Sequence, residues 1–178
     1  MKKIILYAAI SLDGKIAKED GAVEWLEDIP NPENLDYGYT DFYESIDTTL
    51  MGNKTYQQVL GFDVPFPYPG KENYVFTKNK NLKDDENVKF VSDGVVPFLR
   101  DLKQKEGKDI WLVGGAEINT LLLNNNLIDE LMVFVMPVIL GPGISLFSGR
   151  PDFSRLTLVE SKNYATGIVS MTYAISNQ

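Results

Sequence analysis

The chain has 178 residues, 44% of them hydrophobic and 24% charged, which suits one globular domain with a full core, expected over residues 1–178. It holds neither cysteine nor histidine, so disulfides, thiolate metal sites, histidine-based nucleophilic pairs and nearly all zinc sites are excluded, and acid–base work falls to carboxylates, Lys, Tyr or water. A net charge of −8 speaks against a nucleic-acid partner, and no apolar stretch has the length to span a membrane.

Lys2 and Lys3 precede a short apolar run, 4–10, that gives way to Ser11-Leu12-Asp13-Gly14. The run lacks the length and the cleavage site of a signal peptide. It reads as a first strand buried on both faces, and the protein is expected to be cytoplasmic. Residues 11–21 form a loop with turns at Asp13-Gly14 and Asp20-Gly21. Residues 37–46 read as a helix with Asp36 as its N-cap. A short strand at 48–51 leads through Gly52 into a helix at 54–60. Pro65, Pro67 and Pro69 mark an extended loop. Strands follow at 73–77 and 88–91. Residues 93–105 have helical spacing in Val96, Leu99 and Leu102, with Pro97 tolerated in the first turn.

The most informative stretch comes next. A buried strand at 110–113 ends on Gly114-Gly115 and opens a helix over 117–124. Glycines at such a junction let backbone approach a ligand closely, and the free N–H groups of the helix start attract phosphate. A plain tight turn is the other reading. An apolar strand at 131–140, interrupted by Pro137, precedes a closing hairpin of 156–160 and 168–175. Strands alternate with helices over most of the length, so the class is α/β with a mainly parallel sheet, made mixed by the antiparallel hairpin at its edge.

Three strand ends are rich in Gly, Lys and Thr: Met51-Gly52-Asn53-Lys54-Thr55-Tyr56, Phe76-Thr77-Lys78-Asn79 and Val113-Gly114-Gly115-Ala116. In an open α/β sheet, ligands bind at the carboxyl ends of strands. With Ser11-Leu12-Asp13-Gly14-Lys15-Ile16-Ala17, Asp129-Glu130-Leu131 and Pro137-Val138-Ile139-Leu140-Gly141, these segments, as a set and in this order, resemble the dihydrofolate reductase superfamily. The likeness is greatest to the branch holding the reductase domain of riboflavin biosynthesis (RibD C-terminal type), and it covers residues 3–175. It implies a three-layer α/β/α fold around an eight-stranded mixed sheet. It also implies NADPH lying across the carboxyl edge and hydride transfer to a small nitrogen heterocycle.

The resemblance assigns roles residue by residue. Gly114 and Gly115 match the pair that passes under the cofactor pyrophosphate, often through a cis peptide, and Ala116, Glu117 and Ile118 supply helix-start amides. Gly52, Asn53, Lys54 and Thr55 match the segment holding the adenosine-side phosphates. Asn53 stands where an Arg usually meets the 2′-phosphate and lacks its bidentate fork. Lys54, Thr77 and Lys78 are candidates to compensate, or Lys54 and Lys78 are solvated surface charge. Ala9, Ile16 and Ala17 match positions lining the nicotinamide, though Ile16 also suits a core. Trp25 falls in the substrate loop, or packs against the sheet. Asp36, with Asp41 as the nearby alternative, matches the carboxylate that holds a pterin ring and carries the proton role. Its pKa is expected to rise if desolvated, and it fits an N-cap equally well. Its usual threonine partner is Val133, and the Arg that clamps a folate tail is Lys71. Asn119 replaces a Tyr of the folate enzymes. The zinc deaminase of the bifunctional riboflavin enzyme needs His and Cys and is excluded. Arg occurs only at 100, 150 and 155, none obviously placed for a ribose phosphate.

The expected function is an NADPH-dependent reductase of a pterin- or pyrimidine-like heterocycle, dihydrofolate or 5-amino-6-(5-phosphoribosylamino)uracil being the substrates of the two branches. One alternative is a nucleotide-binding protein of this fold without reductase activity, and another is an interaction protein that keeps the scaffold. No metal is expected. Relatives of the riboflavin type suggest a homodimer through the sheet edge and C-terminal strands.

Overall fold

The computed structural model describes residues 1–176. In chain order the elements are β1 (Ile4–Ser11), β2 (Lys15–Ala17), α1 (Tyr39–Ser45), β3 (Ile46–Gly52), α2 (Asn53–Leu60), β4 (Glu72–Phe76), β5 (Lys89–Val91), α3 (Val95–Gln104), β6 (Asp109–Gly114), α4 (Ala116–Asn124), β7 (Glu130–Met136), β8 (Ile144–Ser145), β9 (Leu156–Asn163) and β10 (Val169–Ile175). A one-turn 3-10 helix, Glu24–Leu26, precedes α1.

One eight-stranded sheet has the order β5-β4-β3-β6-β1-β7-β10-β9. The strands from β5 to β7 in that order run parallel, and β10 and β9 add an antiparallel edge. The central strands are apolar on both faces because helices cover both faces. Ile4, Leu6, Leu50, Ile110 and Leu112 pack with Leu99 and Leu102 of α3 and Leu122 of α4. On the opposite face, Ile5, Met51 and Trp111 pack with Phe42 of α1 and Tyr56 and Val59 of α2. Each Leu or Ile so buried contributes about 1.5–3 kcal/mol. The architecture is therefore the expected α/β/α sandwich around a mainly parallel mixed sheet.

Charge is buried at the amino edge of this sheet. The Lys2 amine pairs with Asp47 and donates to Thr48 Oγ1 at 2.9 Å. Lys103 pairs with Asp129 at 2.6 Å, and Asp129 also accepts the Ile4 N–H at 2.7 Å. These contacts fix the strand starts, and the carboxyl edge carries the Gly-rich junctions.

Several boundaries differ from expectation. The strand expected over 131–140 is β7 and stops at Met136, since Pro137 has no N–H to donate to a ladder. The helix expected over 37–46 is shorter. Tyr37 and Gly38 have φ of 55° and 83°, outside helical space, and Ile46 already belongs to β3. The sheet of β2 and β8 was not expected. Its strands, three and two residues long, are too short to show a period. β9 runs three residues beyond 160, to Asn163, because Ser161, Lys162 and Asn163 pair with β10. Among the described residues, no helix is long and apolar enough to cross a membrane.

Candidate active site

β3 and β6 are adjacent and parallel, so α2 and α4, which follow them directly, begin side by side. Neither start has a side-chain cap, and the residues in the cap positions are Gly52 and Gly115. Their first amides remain available to an anion. The two starts are close. A Cβ on Gly52 would lie 3.9 Å from the Gly114 carbonyl oxygen, and one on Gly115 would lie 3.1 Å from Thr55 Oγ1. Gly114 has φ of 116°, a conformation that side chains avoid, and the Gly114–Gly115 bond is cis. Lys54 of α2 and Glu117 of α4 form an exposed ion pair, 3.3 Å apart, between the two starts. The side chains of Ala116 and Ile118 are buried, so these residues offer the cradle backbone only.

Two acceptors near the cradle have no partner: Asn53 Oδ1 and Asn119 Oδ1 are both buried and unbonded. The Asn119 amide donates to the Leu146 carbonyl at 2.8 Å, and its Oδ1 lies 3.4 Å from where a Cβ on Gly114 would be. Lys78 is exposed just past the end of β4, beside Thr77, whose hydroxyl accepts the Asn79 N–H at 3.0 Å. Uncapped amides, a floor without side chains and orphaned acceptors fit a dinucleotide, with ribose hydroxyls able to donate to the asparagines.

Next to the cradle, Tyr7 and Ala9 of β1 point to the α1 face. The Tyr7 ring stacks on Phe42 with centroids 4.2 Å apart, and meets Trp111 at 5.7 Å and Phe134 at 4.9 Å. Burial raises the pKa of its hydroxyl, with Tyr39, Tyr164 and Asp36 adding to the effect. Trp25 packs in one cluster with Phe134, Met136 and Ile168, and Tyr7 and Ala9 pack against that cluster. Ile16 lies on β2, half-buried, where the small sheet holds the chain after β1 against β8. Asp13 ties the same loop down. It accepts from the Ser11 hydroxyl at 2.6 Å and from the Leu140 and Gly141 N–H groups at 3.0 and 2.9 Å. Led by the Ser11 hydroxyl and the Leu140 N–H, these bonds draw its pKa down to about 2.

The carboxylate assigned to the pterin is placed otherwise than a proton donor needs. Asp36 is exposed and accepts from the Gly38 and Thr40 N–H groups at 2.9 and 3.2 Å. Those bonds, the Gly38 amide first, lower its pKa instead of raising it. Nor is Asp36 the N-cap that was expected: the cap of α1 is Gly38, without a side-chain cap, and Asp36 lies two residues before it, holding the turn into the helix. Asp41 is exposed in the first turn of α1. Lys71 is not free to clamp a substrate tail. Its amine donates to the Tyr43 and Ile46 carbonyls at 2.7 and 2.8 Å and sits 4.1 Å over the Tyr43 ring. It thereby caps the carboxyl end of α1. Trp25 is 3% exposed, so it packs against the sheet. Sequence reasoning missed Tyr7, whose place two residues before Ala9 on one strand was the available signal, and the Asp13 tie, which joins residues 127 apart.

The chain matches the family model described as the RibD C-terminal domain over residues 2–170. It is 40% identical over 167 residues to the uncharacterized protein YwjB of Bacillus subtilis, covering 94% of this chain and 95% of that one. A crystal structure of a Shewanella sp. PV-4 protein named for riboflavin biosynthesis superimposes with a TM-score of 0.86 at 30% identity, covering 99% of this chain and all of the other, 100%. Dihydrofolate reductase from Enterococcus faecalis, solved with NADP(H), gives a TM-score of 0.71 at 18% identity, covering 98% and 97% of the two chains. That last likeness shows the fold alone.

Proposed function

The chain belongs to the RibD C-terminal domain family and has a dihydrofolate reductase-like fold, and from that premise we propose that it is an NADPH-dependent reductase of a small, flat nitrogen heterocycle. The observation that carries this reading is the pair of uncapped helix starts facing each other over glycines, with Thr55 Oγ1 only 3.1 Å from where a Cβ on Gly115 would fall. The amides of Asn53 to Thr55 and of Ala116 to Ile118 hold phosphates there. Lys54 and Lys78 supply positive charge that Asn53 does not.

NADPH, when bound, supplies hydride to an unsaturated carbon of the ring. The protein's own part is orientation and exclusion of water. Ala9 and Ile16 bound the nicotinamide end. Tyr7, Phe42 and Trp111 form an aromatic wall beside it. The balancing proton comes from water, because Asp36 stays ionised at neutral pH and is committed to backbone amides. The phosphoribosyl substrate is the less favoured of the two named pyrimidine and pterin classes on charge. Arg100 lies on α3, on the sheet face opposite Tyr7, and Arg150 and Arg155 precede the edge strand β9.

A second reading, nucleotide binding without reduction, is favoured by the absence of a desolvated carboxylate at α1. A homodimer through the β9 edge is part of the proposal. All eight residues of β9 are exposed, Leu158 and Val159 by 53% and 64%, and an open edge strand of this kind invites pairing.

The test is a titration with NADPH and with NADH, following the fluorescence of the two tryptophans, Trp25 and Trp111. Tight binding that prefers NADPH is the expected result, followed by NADPH oxidation with a heterocycle from a screen. Binding without oxidation of any heterocycle selects the second reading, and no binding of either nucleotide overturns both.

A further inference from the structure

We propose, resting on the reductase reading, that Glu117 is a specificity-determining residue of the cofactor cradle. Its carboxylate admits a pyrophosphate linked on both sides, as in a dinucleotide, and rejects one that ends in a free phosphate, as in ADP. Glu117 is the second residue of α4, Lys54 the second residue of α2, and the two side chains pair at 3.3 Å. The pair therefore spans the two uncapped helix starts that the glycines bring together. Glu117 is the acidic residue in the first turn of α4, and the first turn of α2 has none. The cradle is thus uneven in charge, with a cation on the α2 side and a carboxylate on the α4 side.

A carboxylate in the first turn of a helix is favoured by the same dipole and amides that attract phosphate. Glu117 consequently competes with any anion that the α4 start takes. Both side chains of the pair are exposed, Lys54 by 94% and Glu117 by 72%, and such a pair contributes little. Lys54 can turn from the carboxylate to a phosphate at small cost. The carboxylate keeps its charge and stays within reach of whatever occupies the α4 amides.

That repulsion grades ligands by where their charge lies. In the sheet order β4-β3-β6-β1, the start of α4 at the end of β6 lies between the start of α2 at the end of β3 and the nicotinamide end at β1. The adenosine-side phosphate then falls to α2 and the next one to α4. In a dinucleotide that second phosphate is linked on both sides and carries a single charge. In ADP it is terminal and carries about 1.5 to 2 negative charges at pH 7. The additional charge falls on the side of Glu117, away from Lys54. ADP shares with the cofactor all that the α2 side holds, so contacts there cannot tell the two apart. A repulsive element on the α4 side can.

The experiment measures the binding of ADP-ribose and of ADP, without divalent cations, by calorimetric titration of the protein and of Glu117→Gln. ADP-ribose has the bridged pyrophosphate and lacks the nicotinamide. The parent is expected to bind ADP-ribose at least about tenfold more tightly than ADP. Glu117→Gln should tighten ADP by about fivefold and ADP-ribose by less than about twofold, and the difference should disappear in about 1 M salt. Release of Lys54 from its pair acts on both ligands alike, so the ratio of the two affinities reads the repulsion alone. Glu117→Asp keeps the charge and should keep a ratio near that of the parent. An unchanged ratio in Glu117→Gln, equal tightening of both ligands, or the same ratio in the Gln and Asp variants overturns the proposal. The site is exposed, so the fold tolerates these changes, and a thermal melt confirms it. If ADP-ribose, ADP and NADPH all fail to bind the parent, the reductase reading falls and takes this inference with it, a result distinct from ligands that bind in an unaltered ratio.

Discussion

Thr55 Oγ1, in the first turn of α2, stands 3.1 Å from the point a Cβ on Gly115 would occupy at the start of α4. The two helix starts are therefore as close as backbone and one hydroxyl allow. Gly115→Ala forces that hydroxyl or the α4 start to shift by a few tenths of an ångström. Its φ of −79° suits alanine, so the fold tolerates the change and the shift falls on the cradle. The expected outcome is an NADPH dissociation constant raised by about tenfold, or about 1.4 kcal/mol, with a melting temperature close to that of the parent. Calorimetric titration and a thermal melt check both parts, and an unchanged dissociation constant removes the assignment of this junction to the phosphates.

Asp36 matches the carboxylate that carries the proton role in the resemblance, and its geometry predicts a different titration. Hydrogen bonds from the Gly38 amide and from Thr40 favour the charged form. Its midpoint, followed by 13C NMR of the side-chain carboxyl, should fall below the ordinary Asp value of about 3.9. Asp36→Asn keeps an acceptor for the Gly38 and Thr40 amides and should leave NADPH oxidation within about threefold of the parent, since an amide oxygen accepts the same bonds. A midpoint above neutral carboxylate values, or loss of turnover in Asp36→Asn, would return the proton role to this residue.

The contrast between Asp36 and the Gly114-Gly115 pair shows what the sequence made legible. The central strands were readable because burial on both faces leaves runs such as Ile110-Trp111-Leu112-Val113, and the glycines marked where backbone alone must form a surface. Such local signals placed the helix starts within a residue or two. The readings that went astray depended on what the chain packs against. Asp36 reads alike as cap or catalyst until its exposure is known. Lys71 reads as a clamp until the Tyr43 and Ile46 carbonyls take its amine. Tyr7 looked like one more core residue of an apolar strand. Only the stacking on Phe42, which comes 35 positions later in the chain, puts its ring against α1. The pairing of β2 with β8 likewise joins segments too short to carry a pattern.

Acid should weaken the amino edge of the sheet through Asp47. Burial raises its pKa, but bonds from Lys2, Thr48 and the Lys108 N–H outweigh that, and the net shift is downward. A carboxylate with a depressed folded-state pKa stabilises the fold above its unfolded value of 3.8, and that stability is lost as pH falls through the lower folded value. Asp47→Asn leaves the buried Lys2 without its counter-charge and should lower stability at pH 7 by about 1–3 kcal/mol. The gap between variant and parent should narrow as pH falls below about 4, where the parent's Asp47 starts to protonate. Urea melts of both proteins between pH 7 and pH 3 measure this, and a gap that is constant with pH would show that the pair contributes through shape alone. Gly107→Ala should act on the same pair, since a Cβ there would overlap Asp47 Oδ2 and the φ of 135° disfavours any side chain.

The β9 edge gives the last expectation. This strand ends the sheet with one side of its backbone unpaired, and Leu158 and Val159 on it stand exposed. Natural edge strands are usually protected by charge, proline or cover, and here Lys162 and Glu160 pair with each other at 3.2 Å and protect only the far end. A second copy placed antiparallel along β9 would continue the ladder and cover the apolar residues at once. Light scattering coupled to size exclusion should therefore report a dimer at micromolar concentration. Replacing Leu158 and Val159 by Lys should give a monomer with unaltered NADPH affinity, because the cradle lies several strands away between β3 and β6. A parent protein that stays monomeric at tens of micromolar would leave this edge without a self-partner. A double variant that loses NADPH binding along with the dimer would mean instead that the partner copy supports the site.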